Sequence, residues 1–191
     1  MDITLEEKKE IKRKTAKPLL WISMVSMVMI FAGLTSGYVV RRADGEWMTF
    51  ELPSIFYIST LLIILSSITM LWTAMEAKKE DNNVTLGLGI SLALGLAFGV
   101  SQFYAWNELT DLGIFFTGDG VSASGSFIYA ITGMHLAHVV GGIIALTVSL
   151  INSIRGEYSP ENKLGLELTA IFWHFLDLLW VYLFLFLLFI R

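Results

Sequence analysis

The chain has 191 residues, 55% of them apolar and 16% charged, with no cysteine and a formal net charge of −4; its mean hydropathy is +0.67. A water-soluble domain of this size cannot hide so much apolar surface. The missing cysteines exclude disulfides, thiolate metal sites and Cys-x-x-Cys redox chemistry, and the weak net charge implies no nucleic-acid partner.

Residues 1–17 form a charged arm whose Glu and Lys recur at helix-compatible spacing, which predicts a short solvated or interfacial helix on the cytoplasmic side. Apolar runs then occupy residues 18–40, 52–75, 84–107, 120–154 and 168–190. The first four contain no Asp, Glu, Lys or Arg, and the fifth contains only Asp177. A spanning helix needs about 20 apolar residues to cross a hydrocarbon layer of about 30 Å. Strands of a barrel would alternate instead. The reading is an all-α, polytopic bundle in which residues 18–191 form one transmembrane domain, with spans at about 18–40, 52–75, 84–107, 124–151 and 167–190. The first run is too long for a signal peptide and no small-residue cleavage site follows it, so it reads as an uncleaved span.

The connections are short. The longest, 108–126, carries the turn Thr117-Gly118-Asp119-Gly120. Ten of the 13 basic residues fall in the arm (Lys8, Lys9, Lys12, Arg13, Lys14, Lys17) and in the second and fourth connections (Lys78, Lys79, Arg155, Lys163). Arg41, Arg42 and Arg191 fall on the other side. The basic side is cytoplasmic, so the N-terminus is inside and the C-terminus outside. Small residues along the third run (Gly87, Gly89, Ala93, Gly95, Ala97, Gly99) mark close helix–helix packing.

Ionisable side chains within lipid are expensive and need partners or a purpose. Here they gather in the last two runs. His135 and His138 lie three apart on one helical face, His174 and Asp177 repeat that spacing, and Glu167 lies two turns before His174. Three readings are open: a zinc, iron or haem site, a proton relay, or polar pairing that fixes helix register. A redox site would need an electron route and a donor surface, and neither is visible. Pairing in an interhelical polar seam is therefore the working reading.

The segment from Thr132 to Gly141, with Thr132-Gly133, His135, His138-Val139 and Gly141, resembles the TGxHxxHVxxG stretch of subunit III of haem–copper terminal oxidases. Glu167, Trp173-His174-Phe175, Asp177 and Trp180 resemble the same family's ExxxxxWHFxDxxW signature. Leu52-Pro53, Ser66-Ser67-Ile68-Thr69 with Trp72, Gln102 with Trp106, and Asp119-Gly120-Val121 agree more loosely, so the likeness covers residues 20–190. It implies an accessory subunit in aerobic respiratory electron transport, without cofactor of its own, which stabilises subunit I and supports proton uptake and oxygen access. Haem and copper would sit in partner subunits I and II, with phospholipids bound alongside. Five spans look like the short form of a seven-span family, which implies a bacterial inner membrane. Glu76, Lys78 and Lys79 match a charged loop that would hold lipid head groups, and Trp173 and Trp180 would be large packing surfaces, Trp180 or its neighbours facing lipid. Met27 stands where the family has an intramembrane Glu, so that residue's role does not carry over; Thr73-Ala74 after Trp72, and Ala105, are further departures.

Alternatives are subunit III of a quinol oxidase, an accessory chain of a nitric oxide reductase, or a small metal-ion transporter. The last would call for broken helices and an internal duplication, and neither is visible. Supercomplex membership is not legible.

Overall fold

The computed structural model describes residues 5–43, 47–77, 83–118, 122–158 and 163–190. They form five helices: α1 (Leu5–Arg42), α2 (Ile55–Glu76), α3 (Val84–Asp111), α4 (Ala123–Ile154) and α5 (Leu164–Phe189). All five are long and apolar enough to cross a membrane, and among the described residues there is no strand. The charged arm is not a separate helix. The pattern of Glu and Lys runs unbroken into the first apolar run, and α1 continues through Pro18 over 38 residues, about 57 Å at 1.5 Å per residue. That exceeds the lipid core, so the arm extends past it.

Local chemistry sets the ends. Ser122 accepts from the Gly125 amide and opens α4. At the close of α3, Gly113 takes φ +77°, its amide bonding Thr110 and that of Ile114 bonding Leu109. At the close of α4, Gly156 takes φ +71°, with Gly156 bonding Ser153 and Glu157 bonding Asn152. Both are Schellman stops, which need a residue at ease in the left-handed region. At one end of the molecule Glu108 accepts from the Ser54 amide at 3.4 Å, tying the start of α2 to the last turn of α3.

The helices pack as a ring, α2 on α3, α3 on α4, α4 on α5 and α5 back on α2. Among the described residues α1 touches only α4 and α5 and makes no contact with α2, its neighbour in sequence. It leaves Trp21, Ile22, Val25 and Met29 facing outward, as a helix does when lipid or a partner covers it. Phe56, Ile63, Phe98, Ile128, Trp173 and Trp180 fill the middle of the ring.

Apolar burial drives no association between helices already in hydrocarbon, so tight packing and hydrogen bonds must hold the ring. Three glycines show how. A side chain at Gly87 would collide with the Thr73 hydroxyl. A Cβ at Gly95 would stand 2.6 Å from the Trp173 indole, and one at Gly142 would stand 2.9 Å from it. Trp173 of α5 is thus gripped between the backbones of α3 and α4. Gly89 has open space around it, so the small-residue stripe of α3 is only partly an interface.

Candidate functional site

Four polar links cross the bundle on one plan: an N–H or O–H reaches a hydroxyl that in turn donates to a backbone carbonyl. Trp180 donates to Thr60 at 3.0 Å, and Thr60 to the Phe56 carbonyl at 2.7 Å. Trp106 donates to Thr132 at 3.0 Å, and Thr132 to the Ile128 carbonyl at 2.7 Å. Trp173 donates to Ser66 at 3.0 Å, and Ser66 crosses to the Ser91 carbonyl of α3 at 3.0 Å. Tyr182 donates to Thr35 at 3.3 Å, and Thr35 to the Phe31 carbonyl at 2.9 Å. Helical carbonyls are already bonded within the helix but keep a second lone pair. A Ser or Thr hydroxyl therefore accepts an indole or phenol hydrogen without leaving its own unpaired. Thr60 carried no functional signal in the sequence, and Ser91 enters these links only through its backbone carbonyl.

The ionisable residues take separate places. His174 of α5 pairs through Nδ1 with Ser67 of α2 at 2.8 Å. Asp177, 4% exposed, interacts with the Ser67 hydroxyl, but too loosely for a hydrogen bond of good geometry. His138 donates from Nδ1 to the Met134 carbonyl of its own helix at 2.7 Å. His135 is enclosed by rings, with Trp180, Phe98 and Phe31 at centroid distances of 5.1, 5.9 and 6.3 Å, and neither of its nitrogens is bonded. Glu167 meets Lys17 of α1 at 2.7 Å.

No hydrogen bond joins any two of His135, His138, Glu167, His174 and Asp177. The five residues are thus not joined to one another directly. The groups spread over the α2–α5, α1–α4 and α1–α5 contacts and the ring interior. Spacing fixes which residues share a helix face; it does not say which helix that face meets. Trp180 is also turned inward, 1% exposed, because its N–H is committed to Thr60; Leu178 and Tyr182 beside it face outward. Trp173 is wholly buried. Glu76 is buried at the end of α2, while Lys78, Lys79 and the Asp119-Gly120-Val121 stretch lie outside the described residues. Among the described residues no group of three or more His, Cys, Asp or Glu is placed to hold a metal ion.

The Lys17–Glu167 pair ties α1 to the start of α5, but its side chains are 48% and 38% exposed. Pairs that wet couple by less than about 1 kcal/mol. A double-mutant cycle of Lys17→Gln and Glu167→Gln, read from thermal midpoints, should return a coupling below that; one above about 2 kcal/mol would mean that lipid shields the pair.

The chemistry available is interhelical bonding in a ring, beside which an apolar recess of about 240 Å³ between α1 and α5 is lined by Val28, Phe31, Phe175 and Tyr182 among others. Comparison with known proteins agrees with the motifs. The family described as Cytochrome c oxidase subunit III matches residues 47–190. A Rickettsia conorii protein named "Probable cytochrome c oxidase subunit 3" is 38% identical over 164 residues, which cover 81% of this chain and 55% of the relative. Proteins of the same name from Mycobacterium leprae and Nocardia farcinica are 33% and 32% identical, over 91% of this chain and 86% of their own length. The chain thus spans about half the length of the Rickettsia relative and most of the other two.

Proposed function

The chain belongs to the cytochrome c oxidase subunit III family, and from that premise we propose that it is the accessory subunit of a haem–copper terminal oxidase. In this reading it carries no cofactor and catalyses no step itself. Haem and copper reside in partner subunits I and II, and this chain packs beside subunit I, stabilising it and supporting proton uptake and oxygen access. It lies in a bacterial inner membrane with phospholipids around it. The end holding the start of α1, the close of α4 and the start of α5 is cytoplasmic, since Lys17, Arg155 and Lys163 gather there.

The observation that carries the reading is the family match over residues 47–190, which includes the interior tryptophans and the hydroxyls they reach. A ring whose polar groups serve its own helix contacts suits a scaffold for chemistry done elsewhere. The apolar recess between α1 and α5 suits an acyl chain.

The test is co-purification. A tagged chain extracted in mild detergent should bring down a large subunit with haem a and copper, visible in the absorption spectrum. Isolation as a self-contained, haem-free oligomer would overturn the assignment.

A further inference from the structure

Gln102 and His135 are wholly buried, and none of their four side-chain polar atoms has a hydrogen-bond partner. They belong to one place. Along α3, Gln102 follows Phe98 by one turn and precedes Trp106 by another. The Phe98 ring meets the His135 imidazole edge-on at 5.9 Å, and Trp106 bonds Thr132, one turn before His135 on α4. These two contacts set the register of α3 on α4 and bracket Gln102 against the turn that holds His135.

Unpaired polar atoms in a membrane interior are costly, and buried amides and imidazoles nearly always find partners. Here the rings of Trp180, Phe98 and Phe31 enclose the imidazole. An amide offers donors and an acceptor, and a neutral imidazole offers one of each. A molecule that both donates and accepts completes the two together. Packing between the two helices is looser here than one turn away: an added Cβ would make only ordinary van der Waals contact at Gly99 (Leu136, 3.9 Å) and at Gly133 (Trp106, 3.8 Å), whereas at Gly95 it would stand 2.6 Å from Trp173. Two polar side chains supply the partners a buried water needs.

We propose that Gln102 and His135 hold buried water in the core of the ring, between α3 and α4. The site lies inside this chain and does not depend on the oxidase assignment. The water is a structural ligand: it satisfies both residues and makes them interdependent.

The test is a double-mutant cycle with a density map, both on the complex as purified from membranes. Gln102→Leu alone and His135→Phe alone each leave the other residue short of a partner, so each should lower the thermal midpoint of the chain. The double variant, with both polar groups gone, should recover most of the loss. A high-resolution map of the parent should show solvent density within hydrogen-bond distance of both side chains. Single substitutions that raise the midpoint, effects that simply add, or density showing Gln102 bonded directly to His135 with no solvent would each overturn the proposal. Should a single variant not accumulate, the parent map decides alone.

Discussion

A Gly95→Leu chain should fail to seat α5, and its recovery with the complex after mild detergent extraction should fall about tenfold or more. The reason is geometric. A Cβ at Gly95 would stand 2.6 and 2.8 Å from two ring carbons of Trp173, and the indole cannot swing aside. Its N–H is held by Ser66 on α2, and its other edge lies where a Cβ at Gly142 would stand 2.9 Å away. Forcing extra atoms into a filled site costs about 1–3 kcal/mol, occasionally more, and about 1.4 kcal/mol is already a tenfold change. Gly89→Leu is the control, since nothing lies within 4 Å of a Cβ there; it should be recovered at the parent level. A second substitution, Trp173→Phe, should restore part of what Gly95→Leu loses. Parent-level recovery of Gly95→Leu alone would show that Trp173 is not gripped between α3 and α4.

Replacing Asp177 should have a large effect of opposite sign. Asp177→Leu should raise the thermal midpoint of the chain, with a gain on the order of 2 kcal/mol, and under the proposed assignment should leave the haem spectrum of the complex unchanged. Aspartate at the centre of a spanning helix is unfavourable by roughly 2.5–3.5 kcal/mol on the insertion scale, while leucine is favourable by a few tenths. That penalty is normally offset by partners, but here neither oxygen makes a well-formed hydrogen bond among the described residues, and the hydroxyl beside them, Ser67, is already engaged with His174. Ser67 keeps His174 as a partner when the carboxyl is removed, so the loss of the desolvation penalty dominates. Differential scanning fluorimetry on the purified complex reads the shift. A fall in midpoint would mean that the carboxyl is satisfied by Ser67, by water or by a partner subunit.

The five helices were legible because a bilayer imposes a coarse rule: long uncharged runs with charge between them. The rule blurs at ends. The arm ahead of Pro18 is charged, so hydropathy separates it from the span, yet its backbone is helical without a break because helical hydrogen bonding is indifferent to what the side chains face. At the site, the two motifs with His135, His138, Glu167, His174, Asp177, Trp173 and Trp180 gave the family, which is a matter of residue identity. Their partners were not readable, because which helix lies opposite depends on the order of the ring. Ser67, Ser66 and Thr60 all lie on α2, and nothing local to α5 announces that α2 is its neighbour. Gly142 of α4 was missed for the same reason: a single glycine in a run of small residues means little until the indole that fills its space is known.

The separation of α1 from α2 bears on how the protein is made. α1 leaves the ribosome and enters the bilayer well ahead of α4 and α5, yet among the described residues these are the helices it touches. During synthesis it has no docking surface, while α2 and α3, adjacent in sequence and in space, close as a hairpin behind it. Only when the final span is released can Lys17 reach Glu167 and Tyr182 reach Thr35. A helix made before the ring is thus seated after it, and until then it is open to capture by the insertion machinery or by a neighbouring subunit.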